Sequence, residues 1–124
     1  MSVSDLSDAR ALERARLNLR CLPFRRAFYG ELRGAALSST ELAGRVDAGG
    51  LLFRRISAEQ LEDAFIWLIR LGVLRREVDG QGLTERVRLT PMGRELLGNW
   101  RGEIPRAPLA ERIQHQLRRS RPRL

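Results

Sequence analysis

Twenty-three arginines and no lysine carry the basic charge of this 124-residue chain. Their placement is the first feature in it that could do chemistry. Arg54 and Arg55 stand just ahead of Ser57 and Gln60. Arg75, Arg86 and Arg88 alternate with apolar residues in "VLRREV" and "ERVRLT". Arg118, Arg119, Arg121 and Arg123 crowd the closing "LRRSRPRL". A guanidinium is planar, always charged and donates in paired N–H forks, so it suits phosphate oxygens. Arginines so spaced would hold a nucleic-acid backbone rather than transform a substrate. A GC-rich genome would also favour arginine over lysine, and one sequence does not separate the two origins.

Catalytic constellations are missing. His115 is the sole histidine and falls on a predicted polar helix face, where it reads as a surface residue. Cys21, the sole cysteine, sits in an apolar pattern and reads as a small buried hydrophobe before a reactive thiol. Neither has a companion with which to bind a metal. The glycines form no phosphate loop, and no serine or threonine has a base partner. The sequence therefore predicts no enzyme, no cofactor and no metal.

The formal charge of +8 is unevenly spread, with residues 101–124 holding seven arginines against two acids. Most of the excess thus belongs to the C-terminal segment, and a basic isoelectric point says little about the rest. At 43% hydrophobic the chain can bury a core. "MSVSDLSDAR" shows no secretory pattern. "AFIWLI" is far short of the ~20 apolar residues that cross a bilayer. A cytoplasmic protein without a membrane partner is expected.

The elements that would position these arginines follow from period and punctuation. Leu12, Ala15, Leu19 and Leu22, then Phe24, Phe28 and Leu32, predict helix over about residues 5–33, bent or broken near 22 by Pro23. Ser38 or Ser39 caps a short helix with Leu42, Ala43 and Val46 inward. "LLFRRI" at 51–56 is a tight connection or a short strand. Ser57 and Gln60 match a reciprocal cap, Leu61, Ala64, Phe65, Leu68 and Leu71 form a helical stripe, and Gly72 closes it. Alternation around "DGQGLT" predicts a β-hairpin with Leu74, Val78, Val87 and Leu89 inward. Thr90 and Pro91 open a further helix. After "GEIPRAP", Pro108 starts a last helix with Leu109, Ile113 and Leu117 on one face.

This order resembles the winged helix-turn-helix superfamily. "SSTELAGRV" is similar to its first motif helix, "SAEQLEDAFIWLIRLGVLRRE" to its second helix and entry to the wing, and "RVRLTPMGRELL" to the return strand and following helix of MarR-like and PadR-like transcriptional regulators. The likeness spans residues 24–100. It implies a mainly α fold with a small hairpin wing, here with N-terminal and C-terminal helical extensions. The division expected is a winged-helix domain over residues 1–104 and a basic helix and tail over 105–124. It also implies a homodimeric, DNA-binding transcriptional regulator, nucleoid-associated, with Arg54, Arg55, Ser57, Gln60, Arg75, Arg86, Arg88 and the tail arginines on double-stranded DNA. One departure is "DAGGLLFRRI", longer than the usual turn between the motif helices.

A second departure is charge. Glu59 and Asp63 point away from the apolar stripe, with Glu62 at the edge and Ile66 and Trp67 alongside. Carboxylates facing a phosphate field are unfavourable, though acids in the first turns also favour the positive helix end. Trp67 has three readings: packing on the N-terminal helix, a dimer contact, or, with Glu59, Asp63 and Ile66, a surface for another protein. The last gives the alternative function, a protein-interaction module within a larger complex. Likewise, Arg86 and Arg88 either meet DNA or pair with Glu77 and Glu85 on a solvated sheet face.

Overall fold

Pro23 divides the first predicted helix in two. The computed structural model describes residues 3–119, with side chains from residue 6 onward. Within it, α1 (Val3–Leu19) stops well before α2 (Arg26–Glu31). Between them the chain runs extended: the Arg25 N–H donates to Leu51 O (2.8 Å) and the Phe53 N–H to Pro23 O (2.7 Å). Phe24 and Leu52 thereby form a single β-bridge, so "LLFRRI" is a connection with one bridged residue. The remaining elements are α3 (Ser39–Ala43), a 3-10 turn (Ala48–Gly50), α4 (Ala58–Leu71), β1 (Leu74–Asp79), β2 (Gly82–Leu89), α5 (Pro91–Gly98) and α6 (Leu109–Arg119). The chain is mainly helical with one small antiparallel sheet.

Local chemistry sets most of these boundaries. Ser38 accepts from the Glu41 N–H at 3.0 Å while Glu41 accepts from the Ser38 N–H at 3.1 Å, fixing the start of α3. Ser57 and Gln60 do the same for α4, at 3.1 and 3.0 Å. Gly72 ends α4 at φ +88°, a conformation costly for any residue with a Cβ. Thr90 caps α5 by accepting from the Gly93 N–H at 3.1 Å. Gly93 itself is fixed by crowding: a Cβ there would lie 2.7 Å from Val73 O and 2.5 Å from a Leu89 methyl.

The core is aromatic at its centre. Phe24 stacks on Phe28 (centroids 4.3 Å apart) and both lie 5.8 Å from Phe65 on α4, with Tyr29 edge-on. Leu61, Ala64, Phe65 and Leu68 are buried, as the stripe requires. Leu74, Val87 and Leu89 carry the hairpin base into this core. Leu37, just before α3, exchanges two backbone hydrogen bonds with Val87 (3.2 and 2.9 Å) and so extends the sheet by one bridge.

Val46, read as inward on the short helix, lies beyond the end of α3 at Ala43 and is 98% exposed. Two further expectations are corrected. Val78, read as inward, is 62% exposed. The register shifts between Arg76↔Val87 and Val78↔Leu83, so Glu77 alone faces Thr84–Arg86, and the hairpin end bends away from the core. The second correction concerns α6. Leu109, Ile113 and Leu117 do share a face, but it is the outer one, at 62%, 49% and 64% exposure. His115, read as a surface residue, is 2% exposed and faces α1 and α4. A polar demand turns the helix over. Asn18 Oδ1 accepts from the Trp67 indole N–H at 2.9 Å and lies 2.5 Å from His115 Nε2. Buried indole N–H and amide groups left without partners cost more than an exposed leucine. The preceding linker is pinned as well: the Ala107 N–H donates to Arg20 O (2.9 Å) and the Arg106 guanidinium to Leu22 O.

Candidate nucleic-acid interface

The hairpin carries the arginines that alternation assigned to its polar side. Arg75 and Arg88 are direct cross-strand partners. Arg88 Nε donates to Glu77 Oε1 at 2.8 Å, and Arg86 Nε lies 3.7 Å from Glu77 Oε2. Glu77 therefore serves two arginines, while Arg75 is exposed and makes no ion pair among the described residues. Two like charges placed opposite each other on a strand pair repel. Glu77 offsets that repulsion in part, and the outer face keeps net positive charge. Pairing with Glu77 is thus observed; pairing with Glu85 is not.

At the start of α4 the polar side chains are already engaged. The Ser57 Oγ and Gln60 Oε1 accept the two reciprocal-cap hydrogen bonds, which leaves the Ser57 O–H and the Gln60 Nε2 as donors. Arg55 is exposed and donates to Arg45 O at 2.9 Å. Arg54 donates to Gln116 Oε1 on α6 at 3.0 Å. Of the three acids, Glu62 is ion-paired with Arg76 of β1. Glu59 is exposed in the first turn, where the helix end favours it. Asp63 is exposed beside Arg54, Gln60 and Arg119.

Trp67 resolves among its three readings. It is half-buried, hydrogen-bonded to Asn18 and edge-on to His115 at 5.5 Å between ring centres. It packs within its own chain, against the N-terminal helix and α6. Ile66 is half-buried next to it. Trp67 and the flank of α4 bearing Gln60, Asp63 and Ala64 therefore lie beside α6, with Asp63 exposed at its margin, and the side left open carries Glu59 and Arg70.

The tail arginines separate. Arg118 is exposed, and Arg121 and Arg123 lie outside the described residues. Arg119 instead turns inward and joins Arg54, Arg106 and Arg112 around one cavity of about 110 Å³, with Gln116 and Cys21 also on its wall. Sequence inspection singled out Arg54 and Arg119 for a different role and missed Arg106 and Arg112. A signal was present: Arg112, Gln116 and Arg119 share one face of α6 by helical spacing.

Ionisation follows these surroundings. Burial pushes the Cys21 thiol up, with Glu111 adding to the effect, so it is a weak nucleophile at neutral pH. Burial, then the charges of Arg119 and Arg118, push His115 down to about 4. The described residues hold no cluster of metal-binding side chains and no helix long and apolar enough to cross a membrane.

Comparison with known sequences bears on nearly the whole of this architecture. Residues 6–119 match the Npun_F0494-like family. The chain belongs to that family. No curated protein and no solved structure matches it. The matched segment of this Npun_F0494-like chain begins in α1 and ends with α6, so the docked C-terminal helix and the arginine-lined cavity are inside it.

Proposed function

We propose that this chain is a winged-helix DNA-binding protein, similar in kind to MarR-like and PadR-like transcriptional regulators. It acts on the backbone of double-stranded DNA through its wing. In this reading α2, α3 and α4 are the three-helix scaffold, the Leu37–Val87 bridge is the third strand of the wing sheet, and β1 and β2 are the wing. The observation that carries the proposal is the outer hairpin face. Arg75 stands opposite Arg88 in the strand register, and Arg86 and Arg88 share the single Glu77 carboxylate, so three arginines meet one acid there. A phosphate group between those guanidiniums relieves their repulsion and accepts their forks.

The helix expected to read bases has a smaller part. α6 lies along the flank bearing Gln60, Asp63 and Ala64, Glu59 stands on the open side, and the side-chain oxygens of Ser57 and Gln60 accept the cap hydrogen bonds. Backbone positioning rather than base readout follows, with Arg55 as an added phosphate contact. A homodimer placing two wings on one duplex belongs to the proposal, as does a nucleoid location. The alternative module built on Glu59, Asp63, Ile66 and Trp67 loses its main support, because Trp67 is occupied within the chain.

Fluorescence anisotropy with random-sequence duplex at several salt concentrations tests the proposal. Arg75→Ala/Arg88→Ala should weaken binding and lower the slope of log K against log salt by about 1 per lost phosphate contact. Unchanged affinity and slope in this variant would remove the wing from the mechanism.

A further inference from the structure

We propose that the cavity beneath the C-terminal helix, bounded by Arg54, Arg106, Arg112 and Arg119, binds a phosphate dianion, free or as the terminal group of a small phosphomonoester. Four guanidiniums from three stretches of chain converge on a space of about 110 Å³. None of them makes an ion pair among the described residues, whose seven ion pairs all lie elsewhere. The acids nearby are Asp63, at the adjoining mouth beside Arg119, and Glu111, which acts on Cys21 from a distance.

Each guanidinium is held in place by a neutral partner or by packing. Arg54 donates to Gln116 Oε1 (3.0 Å), Arg112 Nε to Ala107 O (3.0 Å), and Arg106 to Leu22 O while it stacks over Phe53 at 4.2 Å. Arg119 is the most enclosed, and its Nε is fully buried without a hydrogen-bond partner among the described residues. A guanidinium has five N–H donors, so these contacts orient the forks and leave most donors to spare. Neutral orienting partners around uncompensated cations are what a preorganised anion site needs.

Electrostatics agree with the geometry. Burial, followed by the charge of Arg112, lowers the pKa of Arg106; burial, followed by the charge of Arg54, lowers that of Arg119. These two cations are partly desolvated and each is repelled by a neighbouring arginine, and an anion among them offsets the repulsion and compensates the lost hydration. An exposed arginine needs no partner, but the buried Arg119 Nε does. A tetrahedral dianion is favoured over a carboxylate, because its oxygens accept from several forks at once and its charge balances more of the four.

Cys21, the only cysteine, lies on the cavity wall, where an occupant covers it from that side, and it also borders the adjoining groove beside Glu111 and Arg118. The test uses the intact chain with inorganic phosphate or glycerol phosphate, against chloride at equal ionic strength. Phosphate should slow modification of Cys21 by a thiol reagent roughly tenfold at about ten times its Kd, and should raise Tm with a saturating dose dependence. Arg112→Gln/Arg119→Gln should lose the Tm increment. Tighter binding of glycerol phosphate would identify a phosphomonoester as ligand, and equal or weaker binding the free ion. Absence of Cys21 protection in the unmodified chain overturns the proposal, whether or not the variant folds. A Tm increment that is linear in phosphate, or that survives in the variant, is general salt exclusion and also overturns it. The wing is untouched by these substitutions, so failure here leaves the DNA reading standing.

Discussion

Acidification should loosen this protein well before its carboxylates titrate, and the cause is one imidazole. Asn18 Oδ1 is an acceptor, so His115 Nε2, 2.5 Å away, must carry the hydrogen. The other ring nitrogen, Nδ1, is buried without a partner among the described residues. Protonating it would place a cation in a buried site beside Arg119 and Arg118, which is why its pKa falls from the ordinary histidine value to about 4. The folded pKa is depressed for a basic group. The unfolded chain therefore takes up a proton first, and stability falls as pH drops through the unfolded value towards the folded one. At about 1.36 kcal/mol per pKa unit the full loss is about 3 kcal/mol, and about 2 kcal/mol of it is reached near pH 5. His115 is the only histidine, so no other side chain titrates ordinarily between about pH 5 and 7. Urea denaturation across that range should show the decline in the native sequence. His115→Gln, which keeps an N–H donor and does not ionise, should show a flat profile. A flat native profile, or a slope retained in the variant, would refute the buried neutral imidazole.

Two further outcomes follow from packing. Phe65→Ala removes the ring that joins α4 to Phe24 and Phe28, and should cost about 3–5 kcal/mol in urea denaturation. Gly93→Ala pushes a methyl against the Val73 carbonyl and Leu89, and should cost roughly 1–3 kcal/mol; wild-type stability would mean that α5 moves freely on the hairpin base.

Much of the fold was legible because its signals are local. The Ser57–Gln60 cap, the Leu61–Leu68 stripe, Gly72 and the Thr90–Pro91 start each depend on residues within a few positions of one another. What was not legible depends on distant partners. The outward turn of Leu109, Ile113 and Leu117 is decided by Asn18 and Trp67, and periodicity says only that these three share a face. The exposure of Val78 comes from a register shift that alternation does not encode. At the candidate interface, Arg75, Arg86 and Arg88 fell on the expected side, because strand alternation fixes sides. The separation of Arg119 from Arg118 was hidden, since the partners of Arg119 lie on a loop some sixty residues earlier and in the linker. The acids on α4 found separate explanations: Glu62 in its pair with Arg76, Glu59 at the helix end, and Asp63 beside the arginine cavity.

The meeting of residues 18, 67 and 115 on one amide oxygen has a consequence for biosynthesis. Everything from Asn18 through His115 must leave the ribosome before that oxygen has both of its donors. Until then Asn18 and Trp67 wait, and an early-terminated chain ending before α6 would carry them unfinished into the cell. Removing α6 is therefore not a neutral trim. Cuts beyond Arg119 spare the junction, whereas cuts before Leu109 should yield a product marked for proteolysis.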